Sequence, residues 1–461
     1  MSKLKLFINN FLVYGMGGVI NRIIPFIMLP IVTQIFPDTS YMGLNELFNT
    51  ISSFAGAIAM FGMYDAMFRF FFEKDNDDYK KSVCSTAFFF VVINSAIVVV
   101  AMIVFRYILS ESFLGDKRYS YLVGIAAVGV LVNSLSTMMA APTRMENKRR
   151  VFLITNTVAP ILAYAVSITL LMMGYYETAL PMGSIISGAG ILLVFVVLNR
   201  KWFSIRVFDL GKLRKLFTVA IPVVPILFVY WVFNSCDRLM LTHMMSVGAT
   251  GIYSIGAKLG TISQLIYSAF SGGWQYFAYS TMNDDNQVEV NSGIFEYLLS
   301  ISAFSTIGIC TIVYLLFKLL FEENYLEAYL TTPYLFLAPL LQMLFQVLGS
   351  QMTIHRKTWM NTLFLMIATV FNIFANYILI PMFGVEGAAM ATLGGYAVAI
   401  ILSIFFNWKY RYFIIKKRGC ISIGILLFYF ICWSLFFSDK IILNFIILVP
   451  VTAAYIRLYK K

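Results

Sequence analysis

The sequence predicts an all-α, polytopic membrane protein. We expect about 14 transmembrane helices, in two six-helix lobes related as a parallel repeat, with two extra helices at the carboxy terminus. Three observations predict this. The chain is 60% hydrophobic and 12% charged, with a mean hydropathy of +0.82, which leaves too few polar groups to cover a soluble globule. Windows long enough to cross the hydrocarbon layer recur with no Asp, Glu, Lys or Arg: Val151–Met173, Thr178–Leu198, Tyr297–Phe317, Thr358–Val385 and Gly387–Asn407. They exceed barrel strands in length and lack the alternation of a transmembrane strand. Finally, the basic residues are distributed by side.

Taken in order, the spans of the first lobe fall near 8–36, 41–71, 82–108, 119–141, 151–173 and 178–198. A basic linker at 199–214 follows. The second lobe takes 215–243, 251–279, 293–319, 327–353, 358–380 and 386–406, and the final pair takes 420–437 and 441–456. The domains are thus 1–198, 199–214, 215–406 and 407–461. Pro25 and Pro30 in the first span, and Pro222 and Pro225 in the seventh, predict bent helices, since proline removes a backbone hydrogen bond.

Alternate connections hold 25 of the 34 basic residues, while the opposite side holds only Arg106, Lys117, Arg118, Lys318 and Lys440. Short basic loops stay cytoplasmic, so both termini are expected there. The net charge of +12 therefore reports topology and gives no support for nucleic acid. Trp202, Trp359 and Trp408 adjoin the basic loops, where interfacial anchors belong.

Much is excluded. No cleavable signal peptide is apparent, since no small-x-small site interrupts the first span. The five cysteines lack CxxC spacing and read as small buried hydrophobes. His243 and His355 stand alone, so no metal or cofactor is expected. The longest connection is about 17 residues, too short for the catalytic loop or domain of a membrane glycosyltransferase or polymerase, so no enzyme is expected.

The halves echo one another. YMGLNEL (Tyr41–Leu47) opens the second span and TGIYSIG (Thr250–Gly256) the eighth, with Gly43 and Gly251 separated by 208 residues (251 less 43). Lys148 and Arg356 in the basic turns share that offset, and Glu177 and Glu386 differ by 209. Parallel repeats of this kind hold substrate between the halves and rock around it, so transport is expected.

Four basic residues remain inside spans: Arg22, Arg69, Arg238 and Lys258. Such a charge costs roughly 3 kcal/mol on insertion scales unless it faces a wet cavity or a partner. Arg22 is central in GGVINRIIPF; Asp65 and Arg69 share a helix face and could pair. Asp237 and Arg238 are adjacent, so their side chains diverge. Cations in a cavity suit an anionic substrate, because Arg offers a planar fork and Lys a point charge to phosphate oxygens. Asn21, Asn234, Tyr253 and Gln275 would hydrogen-bond sugars, and Asp65 and Asp237 are candidates for ion coupling.

At YMGLNEL, CDRLML…VGATGIYSIGAKLG and FGVEGAAMATLGGY the chain resembles polysaccharide flippases of the multidrug, oligosaccharidyl-lipid and polysaccharide exporter superfamily. That resemblance implies a V-shaped, MATE-like pair of lobes. It also implies export of O-antigen, capsule or exopolysaccharide repeat units, carried on undecaprenyl diphosphate, across the bacterial inner membrane. Membrane lipids, a polysaccharide polymerase and glycosyltransferases are the implied partners. In the related lipid II flippases basic residues lie in the first and eighth helices, which Arg22 and Lys258 resemble by location. Their Leu-Pro-Asn…Arg…Glu-Gly-Ala signature is missing; here the second span reads FAGAIAMFGMYDAMFR, which disfavours a peptidoglycan precursor. The rivals are a cation-coupled multidrug antiporter of the same fold and a membrane glycosyltransferase or polymerase.

Overall fold

The computed structural model describes residues 23–414 and 417–459. Every regular element among them is helical. The chain divides into two compact units, Met1–His243 and Met244–Lys461. Both are built from apolar helices of a multi-pass membrane protein: nine among the described residues are long and apolar enough to cross a bilayer, ten if one bent pair counts as a span.

In the first unit the long helices are α1 (Ile23–Ile35), α2 (Thr39–Met60), α3 (Met63–Phe71), α4 (Asp77–Val104), α5 (Ser120–Met145), α6 (Arg149–Met172), α7 (Ala179–Asn199) and α8 (Leu210–Met244). Asp38 starts α2 by accepting from the Ser40 amide at 2.7 Å, and Asn76 starts α4 by accepting from the Tyr79 amide at 2.9 Å. These caps satisfy amides that the first turn leaves without partners. The second span read from the sequence is a bent pair: α2 and α3 meet at 45°. No proline is involved. Phe61 and Gly62 adopt left-handed backbone, and a Cβ on Gly62 would lie 2.8 Å from the Ala220 carbonyl oxygen of α8. A residue with positive φ and no side-chain room is a place for glycine. Pro222 and Pro225 lie inside α8, which runs without interruption.

The stretch 199–209 is fastened to α4. The Ser82 and Ser85 hydroxyls donate to the Val207 and Trp202 carbonyls at 2.8 and 3.1 Å, and the Asp209 amide donates to the Thr86 hydroxyl at 3.1 Å. Trp202 is consequently no interfacial anchor. It is 6% exposed, with its ring 5.3 Å from that of Phe71 in the core of the unit. Trp359 and Trp408, at 63% and 55% exposed, do face outward. Likewise Cys84, Cys236 and Cys310 are buried, whereas Cys420 is exposed on its helix.

The second unit comprises α9 (Val247–Gly260), α10 (Ser263–Ser280), α11 (Gln287–Leu320), α12 (Thr332–Ile354), α13 (Trp359–Lys409), α14 (Lys417–Cys432) and α15 (Ile441–Tyr459). The eighth span is broken at Thr261 and Ile262, giving α9 and α10. Spans eleven and twelve are two helices that meet within α13 at Gly384, whose backbone is not helical (φ 57°, ψ −135°). Helix α12 is the enclosed centre, packed by α9, α10, α11 and α13. The close approach of α9 to α12 and to the segment before it requires GAKLG: a Cβ on Gly256 would lie 2.7 Å from the Ala328 carbonyl oxygen in that segment, and one on Gly260 would lie 2.8 Å from Leu335 of α12. Two glycines four apart let helix backbones touch where no hydrophobic force drives association. Ser246 caps α9 through the Ala249 amide at 3.1 Å. Asp38 and Ser246, the caps of α2 and α9, stand 208 residues apart (246 less 38), the offset already seen between the sequence echoes.

Candidate functional site

Arg22 and Asn21 lie outside the described residues. The remaining sequence-predicted site residues divide between the two units. Asp65, Arg69, Asp237 and Arg238 belong to the first, and Tyr253 and Lys258 to the second.

In the first unit, α8 is joined to α2 by a ladder of contacts. Trp231 donates its indole N–H to Ser53 at 3.1 Å and packs on Phe54 with ring centroids 4.7 Å apart. Two turns further along α8, the Arg238 Nε donates to the Glu46 carboxylate at 2.9 Å. A terminal guanidinium nitrogen of Arg238 also donates to the Asn234 carbonyl, one turn back on the same helix. The side chains of Arg238 and Glu46 are 20% and 14% exposed. The bond is thus a charge-assisted pair in a mostly dry setting, where both partners need each other.

Glu46 was missed in the sequence, although it stands in the YMGLNEL stretch. A carboxylate within an apolar span is the same signal as an arginine there, and it answers Arg238. Asp237, next in line, points elsewhere: it is 2% exposed and accepts from the Cys236 thiol at 3.7 Å. The divergence expected of adjacent helical residues holds.

Asp65 and Arg69, by contrast, are both exposed and form no ion pair with each other. They occupy α3, past the bend at Gly62. An exposed arginine gains little from a neighbour three or four residues away, because water or headgroups already solvate it.

In the second unit, Lys258 is half-buried on α9 and Tyr253 is 2% exposed. Lys258 sits between Gly256 and Gly260 in sequence, and hence on the helix face opposite the pair that packs on α12 and the segment before it. A second carboxylate appears here, beyond the bend of α13. Glu386 accepts hydrogen bonds from the Tyr334 hydroxyl at 2.8 Å and the Ser434 hydroxyl at 2.9 Å. Both of these partners are neutral, and Glu386 forms no ion pair among the described residues.

The chain is similar to several solved structures. Against the inward closed conformation of the lipid II flippase MurJ the TM-score is 0.75 at 12% identity, covering 97% of this chain and 98% of that one. An inward-facing multidrug resistance MATE family transporter of the MOP superfamily gives 0.64 at 13% identity, covering 89% and 98%. The MATE multidrug transporter DinF-BH gives 0.60 at 14% identity, covering 90% and 98%. At such identities the likeness is one of fold, and it confirms the MATE-like class expected from the sequence. No curated protein sequence matches. The sequence model for "Polysaccharide biosynthesis protein" matches residues 40–330, which takes in α2 through the end of the short helical segment before α12. Since that stretch is more than half of the chain, the protein belongs to the polysaccharide biosynthesis protein family.

Proposed function

We propose that the protein translocates an anionic lipid-linked oligosaccharide, an undecaprenyl-diphosphate repeat unit, across the bacterial inner membrane. It does so by alternating access of two six-helix lobes, 1–198 and 215–406, with both termini cytoplasmic and without enzymatic chemistry. The observation that carries this reading is the retention of basic side chains within apolar helices, above all Arg238 held ready by Glu46. Cations that cost free energy on insertion are kept where they serve a substrate of opposite charge. Family membership and the repeated caps Asp38 and Ser246 support it.

In this mechanism Arg22, Arg69, Arg238 and Lys258 attract the diphosphate, while Asn21 and Tyr253 meet the proximal sugar and the polyprenyl tail stays in lipid. The diphosphate competes with Glu46 for the Arg238 guanidinium, so substrate arrival loosens a bond between α2 and α8. Asp65 and Asp237 are the candidates for ion coupling. The likeness to MATE transporters, with exposed Asp65 unpaired to Arg69, favours a second reading, a cation-coupled drug antiporter.

One experiment separates them. The protein is reconstituted in vesicles and the accessibility of a lipid-linked oligosaccharide is followed across the bilayer, alongside ion-coupled efflux of a cationic dye. Flipping that is lost in the Arg22→Ala, Lys258→Ala double variant supports the carrier of anions. Absence of flipping, or its survival in that variant, overturns the reading, and dye efflux without flipping establishes the antiporter.

A further inference from the structure

A cavity of about 390 Å³ opens in the first unit between α3, α5, α6 and α7, at the end that carries the Glu146–Lys148 turn. Its size is within the range of small-molecule sites. Its lining includes one cation, Arg144, and no carboxylate. The nearest acidic residue in sequence, Glu146, is engaged by Lys148 at 2.5 Å and Lys201 at 2.7 Å. Arg144 itself forms no ion pair among the described residues. Its guanidinium is positioned by neutral groups: it donates to the Tyr64 hydroxyl at 3.2 Å and lies over the Phe152 ring, 4.9 Å from the centroid. Arg144 is exposed, so the N–H groups not engaged by Tyr64 face water, from which an anionic ligand can take them.

Helices α5 and α6 also supply hydroxyl and amide groups to the lining. Ser136 and Thr137 of α5 are half-buried, and their hydroxyls have no partner among the described residues. Asn156 of α6 donates to the Phe152 carbonyl at 2.9 Å, which leaves its side-chain oxygen turned to accept. Unspent donors beside a lone arginine suit a phosphoryl group, whose oxygens take both neutral and charge-assisted hydrogen bonds. An acceptor and aromatic faces in the same cavity suit a sugar hydroxyl and ring attached to it.

We infer that this cavity binds the diphosphate headgroup of a polyprenyl lipid, with Arg144 as the phosphate contact and Ser136, Thr137 and Asn156 as its polar companions. It is a subsite distinct from the cations within the spans and serves as a first holding place for the headgroup. Only the identity of the lipid rests on the proposed flipping; binding by the cavity is measurable whether or not the protein flips anything.

The test is calorimetric titration of the purified full chain in detergent with farnesyl diphosphate, inorganic pyrophosphate and farnesol. Farnesyl diphosphate is expected to bind, alone or together with pyrophosphate. Arg144→Gln should weaken that binding about tenfold or more, the worth of a hydrogen bond to a charged group. Thr137→Val should weaken it several-fold, and Arg144→Lys should recover part of the loss. Thr137→Val reads the same wall should Arg144→Gln fail to fold. Arg106→Gln removes the same charge from the same unit outside the cavity and should bind as the parent does. The inference is overturned if farnesol binds equally well, if pyrophosphate binds and farnesyl diphosphate does not, if Arg144→Gln and Thr137→Val bind as the parent, or if Arg106→Gln loses as much as Arg144→Gln. Failure of oligosaccharide flipping with these results intact would sink the transport reading and leave the cavity standing.

Discussion

Glu46 in the first unit and Glu386 in the second both sit inside apolar helices, and they are held by different means. Glu46 of α2 faces a full positive charge, Arg238 of α8, at 2.9 Å. Glu386 of α13 is held by two neutral hydroxyls, Tyr334 and Ser434, both on the same carboxylate oxygen. In the first arrangement each partner depends on the other, because removing one leaves the second charged and poorly solvated. In the second, the group stays satisfied whether it carries its charge or a neutral amide of the same shape, since hydroxyls can donate to either. An arginine pair fixes a charge in place, and a hydroxyl pair tolerates its loss.

The contrast is open to attack by substitution. The largest effect expected is from Glu46→Ala, which strands the Arg238 guanidinium and should cost about 3 kcal/mol of stability in thermal or denaturant unfolding. Replacing both residues with leucine should recover most of that loss. Equal losses in the single and double variants would show that the cost does not come from a stranded charge. Next comes Glu386→Ala, which empties the place between Tyr334 and Ser434 and should cost about 1–3 kcal/mol. Glu386→Gln, in contrast, should leave the unfolding midpoint nearly unchanged; a loss as large as that of alanine would mean the charge is needed after all. Tyr334→Phe removes one of the two donors and should cost about 1 kcal/mol, read in the same assay.

The smallest effect concerns a third carboxylate, Glu146, in the turn between α5 and α6. Burial would raise its proton affinity, but the hydrogen bonds and charges of Lys148 and Lys201 outweigh that and hold the carboxyl below its ordinary value of 4.5. A depressed carboxylate stabilises the fold above its unfolded value and loses that contribution as the pH falls through the folded one. The difference in stability between the parent and Glu146→Gln should therefore be small at neutral pH, less than about 1 kcal/mol, because both lysine partners are exposed to water. It should shrink toward zero below pH 4.5, where the parent carboxyl becomes protonated. A difference that persists in acid would show that the lysines act through something other than that charge.

The membrane-spanning class was legible in the sequence because bilayer thickness imposes a simple length and polarity on each helix. Breaks were less so. The turn at Gly384 falls between two spans that the sequence separates, but the bend at Gly62 lies inside a single hydropathic run, where only backbone conformation marks it. Trp202 misled for a related reason. A tryptophan beside basic residues reads as an anchor, and only the hydrogen bonds of Ser82 and Ser85 to the following segment show that the chain folds back and buries it. Of the candidate site, Arg238 was visible as a misplaced charge. Its partner was not, because Glu46 lies 192 residues away and local spacing carries no information on such pairs. Arg144 was visible only as one cation of a basic turn, since its setting depends on Tyr64, 80 residues earlier in the chain.

The glycine pair of α9 has a consequence for Lys258. With Gly256 and Gly260 pressed against Ala328 and Leu335, that helix has no side chain at those two contacts that could rearrange to let it tilt. Relative to Ala328 and Leu335, travel of the ammonium group then comes from the four methylenes of the lysine itself. The helix acts as a fixed mount and the side chain as a tether of set length. Shortening the tether, as in Lys258→ornithine, would therefore move the charge back by one carbon and leave the mount where it is. Reach at this position becomes a variable that chemistry can set by itself.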